Sequence, residues 1–109
     1  MYTIEKTMEI SASHCLDLTY ESPCTNMHGH NWKIKVVCQS ETLDKNGMVI
    51  DFTEIKKVVN SLDHVCINDV ILVNPTAENM ARILCEKIPF CVRVEVTETE
   101  GNKAIYEKV

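Results

Sequence analysis

Two segments of this chain alternate apolar and polar residues with a period of two, and each has histidine at one end. From Tyr2 to His14 the even positions read Tyr, Ile, Lys, Met, Ile, Ala and His, with mainly polar residues between them. From His28 to Cys38 the even positions read His, His, Trp, Ile, Val and Cys, while Asn31, Lys33 and Lys35 face the other way. Residues two apart on a strand share a face, so both segments read as strands with one dry side. A third alternating stretch, Val92 to Lys108, carries the row Val92, Val94 and Val96 and is split by Glu100-Gly101-Asn102, which predicts a hairpin.

Between these stretches the period changes. Asp44-Lys45-Asn46-Gly47 is a turn signal leading into a short extended piece, Met48-Val49-Ile50. Asp51-Phe52-Thr53-Glu54 fits a capping box, and Phe52, Ile55, Val58, Val59 and Leu62 then recur at helical spacing, predicting a helix to about Leu62. Thr76, after Asn74-Pro75, is the expected N-cap of a second helix with the stripe Ala77, Met80, Ala81, Leu84 and Ile88, ended by Pro89. The order ββααββ predicts an α+β domain whose two helices cover one face of an antiparallel sheet.

With 109 residues and no linker-like stretch, the chain reads as one domain, 1–109. A domain this small buries a modest share of its surface, so oligomerisation is expected. The net charge of -5 and the lack of a Lys/Arg run argue against a nucleic-acid partner, because phosphate neutralisation needs a basic stripe. No run approaches a membrane span, and Met1 to Lys6 lacks the charged head and apolar stretch of a leader, which gives a cytoplasmic expectation. The six cysteines are scattered without CxxC spacing, and most read as small buried hydrophobes.

The strongest chemical signal is His28-Gly29-His30, because two imidazoles at i and i+2 on a strand can face one ion. His14 ends the neighbouring apolar row with the same parity and is the third candidate, leaving zinc's fourth position open. Cys24, four residues before His28 in a loop with Pro23, is either a fourth ligand or a nearby thiol acting as proton acceptor. Asp63-His64 follows the first helix, where an Asp can orient and charge an imidazole, although a helix-end His also simply complements the dipole. Glu98 continues the parity of Val94 and Val96, and a carboxylate there must be paired or wait for a ligand. Lys33 and Lys35 read as a solvated strand face.

Taken together, Ser13-His14, Cys24-Thr25-Asn26-Met27-His28-Gly29-His30, Ile50-Asp51-Phe52, Leu62-Asp63-His64, Asn74-Pro75-Thr76-Ala77-Glu78 and Thr97-Glu98-Thr99 resemble one family nearly end to end. That family is the 6-pyruvoyl-tetrahydropterin synthases and 6-carboxy-tetrahydropterin synthases. The resemblance implies the tunnelling fold, with a four-stranded antiparallel sheet and two helices per subunit. It also implies a homo-oligomer, a hexamer or another trimer-based ring, with active sites at the interfaces. Residue by residue, it implies Zn2+ on His14, His28 and His30, and Cys24 as the proton acceptor rather than a ligand. Asp63 and His64 become a proton-relay pair, Glu98 the anchor of the pterin ring, and Thr76 a further pterin contact.

The expected substrate is 7,8-dihydroneopterin triphosphate, and of the two family branches the 6-carboxy one, in queuosine biosynthesis, is favoured because the chain is short with compact loops. That branch releases acetaldehyde and triphosphate. The alternative branch retains a pyruvoyl side chain. A third subgroup, which replaces the cysteine with glutamate, is disfavoured by Cys24. Outside the family, a zinc hydrolase leaves Cys24 and Glu98 without a role, and a non-catalytic pterin-binding protein predicts no turnover.

Overall fold

In the computed structural model, which describes all 109 residues, the alternating segments become two long antiparallel strands, β1 (Tyr2–His14) and β2 (His28–Ser40). Two helices follow, α1 (Phe52–Asn60) and α2 (Ala77–Lys87), and then the hairpin β3 (Cys91–Thr99) and β4 (Asn102–Glu107). The sheet order is β1-β2-β3-β4, every pair antiparallel, so the ββααββ expectation is met. Single 3-10 turns at Pro23–Thr25 and Ile67–Asp69 lie in the two long connections.

One face of the sheet is dry for the reason the alternation predicts. Ile10, Ala12 and His14 of β1 are buried, as are Trp32, Ile34, Val36 and Cys38 of β2 and Val94 and Val96 of β3. Against them pack Ile55 and Val59 of α1, and Ala77, Met80, Ala81, Leu84 and Cys85 of α2. Each fully buried aliphatic side chain here contributes about 1.5–3 kcal/mol. Both helices therefore lie on one face, α1 against β1 and α2 against the hairpin. The other face is a charge ladder, with Lys35 3.4 Å from Glu5, Lys103 3.0 Å from Glu95, and Arg93 3.0 Å from Glu107. It is the solvated surface expected of Lys33 and Lys35.

Both helix starts are capped by the residues the sequence implies, Asp51 accepting from Thr53 N at 2.8 Å and Thr76 from Asn79 N at 3.1 Å, but Glu54 makes no return bond, so the first cap is not a full capping box. Four other details differ. The first helix stops at Asn60, and Leu62 is buried in the turn beyond it. Phe52, placed in the apolar stripe by its spacing, is 48% exposed, with Lys6 Nζ 5.9 Å from its ring centroid. Met48–Ile50 joins no strand, because Asp44 Oδ1 gathers the amides of Asn46 and Met48 into a tight loop and leaves only Val49 buried. A register shift opposite Val37/Cys38 puts Cys91, not Val92, against Cys38, so Cys91 takes the buried place. All six cysteines are free, with Cys38, Cys85 and Cys91 buried and the other three half-buried.

Candidate metal and active site

The β1–β2 register sets His14 directly opposite His28 and Ala12 opposite His30, so three imidazoles meet at one end of the dry face. Their ring centroids lie 4.6 Å (His14–His28), 5.3 Å (His14–His30) and 4.8 Å (His28–His30) apart. Trp32 forms the floor, its ring edge-on to His14 and His30 and its Nε1–H donating to Ala12 O at 3.1 Å. His14 is 1% exposed. Three histidines so packed must have their nitrogens accounted for one by one.

Two of the rings are held from behind by main-chain carbonyls. His14 Nδ1 lies 2.8 Å from Pro75 O, and His28 Nδ1 lies 2.7 Å from Asn26 O. A carbonyl only accepts, so each Nδ1 carries the proton and each Nε2 of a neutral ring presents a lone pair. Those two Nε2 atoms are 3.0 Å apart. Two facing lone pairs repel unless a cation lies between them, and two ligands of one tetrahedral zinc ion sit about 3.3 Å apart. This carbonyl-backed arrangement is how metal-bound histidines are oriented.

The third ring completes the case. His30 Nε2 is buried and has no hydrogen-bond partner, although Glu98 Oε1 approaches to 3.0 Å. The contact is a close approach without hydrogen-bond alignment. Burial holds the His30 imidazolium below its usual range, opposed by the Glu98 charge and reinforced by His28 and His14. The lowering favours the neutral form a metal ligand needs. Donor atoms of His14, His28, His30 and Glu98 all lie within 4.8 Å of one another. The nitrogen-rich set, with an orphaned buried nitrogen at its centre, fits zinc.

The remaining candidates lie around this cluster. Cys24 is half-buried in the Pro23–Thr25 turn, which Ser22 caps, and its carbonyl accepts from Leu16 N at 2.8 Å. That bond ties the cysteine loop to the chain leaving His14, but Cys24 is not among the four converging donors. Thr76 caps α2 directly after Pro75, whose carbonyl backs His14. A cavity of about 380 Å³ opens between the start of α2 and the hairpin, with Ala77, Glu78, Glu98, Asn102 and Lys103 in its wall.

Asp63 and His64 lie elsewhere in the subunit. Their segment runs beside the free edge of β1: Asp63 Oδ1 accepts from Ser11 N at 2.9 Å, and Ser13 N donates to Val65 O at 3.1 Å. Asp63 Oδ1 is 3.0 Å from His64 Nδ1, and the His64 side chain is 81% exposed at a positive φ of 57°. The Ser11 amide holds the Asp63 carboxyl below the usual carboxylate range, with His64 adding to the effect. His64 opens on a shallow cavity of about 570 Å³ whose wall includes Ser11, Ser13 and Asn31 together with His30 of the cluster. Within one chain, then, the pair is formed but is not part of the histidine cluster.

A model of the family described as 6-pyruvoyl tetrahydropterin synthase matches residues 3–109. The chain belongs to that family. Among its relatives, a 6-carboxy-5,6,7,8-tetrahydropterin synthase of Synechocystis is 34% identical over 121 residues, covering 97% of this chain and 93% of that protein. A Pyrococcus horikoshii protein is 45% identical over 58 residues, but the match spans only 36% of that longer protein. The Caenorhabditis elegans 6-pyruvoyl tetrahydropterin synthase structure superposes with a TM-score of 0.77 at 27% identity, covering 99% of this chain and 96% of that one. The tunnelling fold inferred from sequence is thus the fold of this pterin synthase family.

Sequence reasoning missed the carbonyls of Pro75 and Asn26, the Trp32 floor and the cavity beside Glu98 in this pterin synthase family member. Main-chain atoms carry no residue signature, so no motif could have announced the first two. Trp32 was visible as the next member of the histidine row, and its indole size was the available signal.

Proposed function

We propose that the protein is a zinc-dependent lyase acting on 7,8-dihydroneopterin triphosphate, forming 6-carboxy-5,6,7,8-tetrahydropterin with release of acetaldehyde and triphosphate. The observation that carries this reading is the facing pair His14 Nε2 and His28 Nε2, 3.0 Å apart with both Nδ1 atoms committed to carbonyls, beside the orphaned His30 Nε2. Such a set gains little from a purely structural role and suits a metal with an accessible position. The Synechocystis relative supports the 6-carboxy product, and the C. elegans one supports the 6-pyruvoyl alternative.

His14, His28 and His30 would hold the ion. A zinc ion bound there would make the hydroxyls of the substrate side chain more acidic. Cys24 takes a proton from the side-chain carbons, its loop tied beside His14 through Leu16. His64, held by Asp63, passes protons at the same side chain, and its exposure on the far side of β1 suits service to a neighbouring subunit's site. Glu98 accepts hydrogen bonds from the amino and ring N–H groups of the pterin, and Thr76 adds a contact from the start of α2. A homo-oligomer with interfacial sites is part of this reading. So is a cytoplasmic location; no helix is long and apolar enough to cross a membrane.

The test is incubation of zinc-loaded protein with 7,8-dihydroneopterin triphosphate, with the pterin and any aldehyde identified by mass spectrometry. A 6-carboxy pterin with acetaldehyde is expected. A 6-pyruvoyl pterin without aldehyde moves the protein to the alternative branch, and unchanged substrate with zinc bound sinks the synthase reading in favour of a hydrolase or a pterin-binding protein.

A further inference from the structure

We propose that Glu98 is the fourth donor of the metal site in the substrate-free protein, so that the site is capped by its own chain and a substrate must displace this carboxylate to reach it. The inference rests on the three-histidine metal reading above and goes beyond it by giving Glu98 a second position.

Three observations converge on it. Glu98 Oε1 lies 3.0 Å from His30 Nε2, yet that buried nitrogen has no hydrogen-bond partner. Oxygen and nitrogen at this separation without alignment are placed as two ligands of one cation are placed. The four donor atoms already lie within 4.8 Å of one another, so closure on a tetrahedral ion needs a contraction of about 1.5 Å at most.

The backbone explains why Glu98 reaches so far. Thr97 pairs with Lys103 and Thr99 with Asn102, so β3 advances two residues while β4 advances one, and Glu98 is the extra residue of a bulge. Bulges re-aim a side chain and recur beside functional sites. The carboxylate is also short of other partners. Glu95 on the same strand has both Arg93 and Lys103, whereas Glu98, with its side chain 28% exposed, approaches only His30. A half-buried carboxylate so placed is incomplete without a cation.

The same residue lines the cavity between α2 and the hairpin, with Ala77, Glu78, Asn102 and Lys103. Glu98 therefore has two destinations, the histidine cluster and a cavity in which it can accept hydrogen bonds from a heterocycle. Three neutral imidazoles leave a divalent ion its full charge, and a bound carboxylate lowers that charge until substrate takes its place.

The experiment replaces zinc with cobalt(II), whose visible absorption reports coordination, and measures the metal dissociation constant by chelator competition. Wild type, Glu98→Gln, Glu98→Asp and His28→Ala are compared, after circular dichroism of the metal-free forms verifies the fold. Glu98→Gln should weaken cobalt binding by at least about tenfold and alter the spectrum, with Glu98→Asp intermediate. Adding 7,8-dihydroneopterin, which has the ring without the triphosphate, should change the wild-type spectrum toward that of Glu98→Gln. Unchanged affinity and spectrum in Glu98→Gln would overturn the fourth donor while leaving the histidine site standing. Full cobalt affinity in His28→Ala, or none in wild type, would instead overturn the metal reading on which the proposal rests.

Discussion

His14 and His28 point their Nε2 atoms at each other across 3.0 Å while Pro75 O and Asn26 O hold their Nδ1 atoms from behind. With both rings neutral and no proton or metal ion between them, this is a repulsive contact in a part-buried cluster. Zinc should therefore raise the melting temperature, by about 2.7 kcal/mol of added stability at a free concentration one hundred times its dissociation constant. Chelation should reverse the rise, and His28→Ala should abolish it. A melting curve indifferent to zinc would rule out this site.

Cys24 lies outside the four converging donors, so its replacement should spare the metal. Cys24→Ala is expected to keep zinc at wild-type stoichiometry and to lose about 10²–10⁴ in turnover, the usual contribution of a positioned proton acceptor. Zinc content and product formation are measured on the same sample. Loss of zinc would reassign the thiol as a ligand.

Thr76 joins the stability of α2 to the geometry of the site. Its hydroxyl caps the helix through Asn79 N, and the preceding Pro75 carbonyl orients His14. Thr76→Ala should cost about 1 kcal/mol, and Thr76→Ser should restore most of it. Because fraying there frees Pro75, zinc affinity should fall in Thr76→Ala and recover in Thr76→Ser. Denaturant melts with and without zinc separate the two effects.

Asp63 gives an acid-side signature. Its carboxyl is held below the ordinary aspartate value of 3.8, first by the Ser11 amide, so the folded state binds its proton less readily than the unfolded chain does. The stability it contributes is present above pH 3.8 and is lost as the pH falls through the lower folded value. Wild type should be the more stable of wild type and Asp63→Asn at neutral pH, with the difference closing in the acid range. Parallel stability curves down to the lowest pH would show that the Ser11 contact carries no such linkage.

Much of this protein was legible because its signals are local. The alternation in Tyr2–His14 and His28–Cys38 predicts two strands and their dry face, and Asp51 and Thr76 mark both helix starts with side chains that reach only two or three residues. Parity alone brought His14, His28 and His30 to one side. The misreadings share one cause. Val49 is apolar because it is buried, not because it is paired, and Cys91 replaces Val92 in the core because a register shift depends on the facing strand.

What the sequence by itself determined was the set of elements and the face each residue occupies, both consequences of short-range periodicity, while the family was legible as a resemblance carried by its motifs. Only the tertiary structure decided which nitrogen of each histidine is free. That follows from contacts such as Pro75 O to His14 Nδ1, made across 61 positions of chain by main-chain atoms that every residue type possesses. It likewise decided that Asp63 and His64 pair along the outer edge of β1 while Glu98 turns toward the histidines. Strand order and bulge position, set by the packing of the whole sheet, are not written in any one segment.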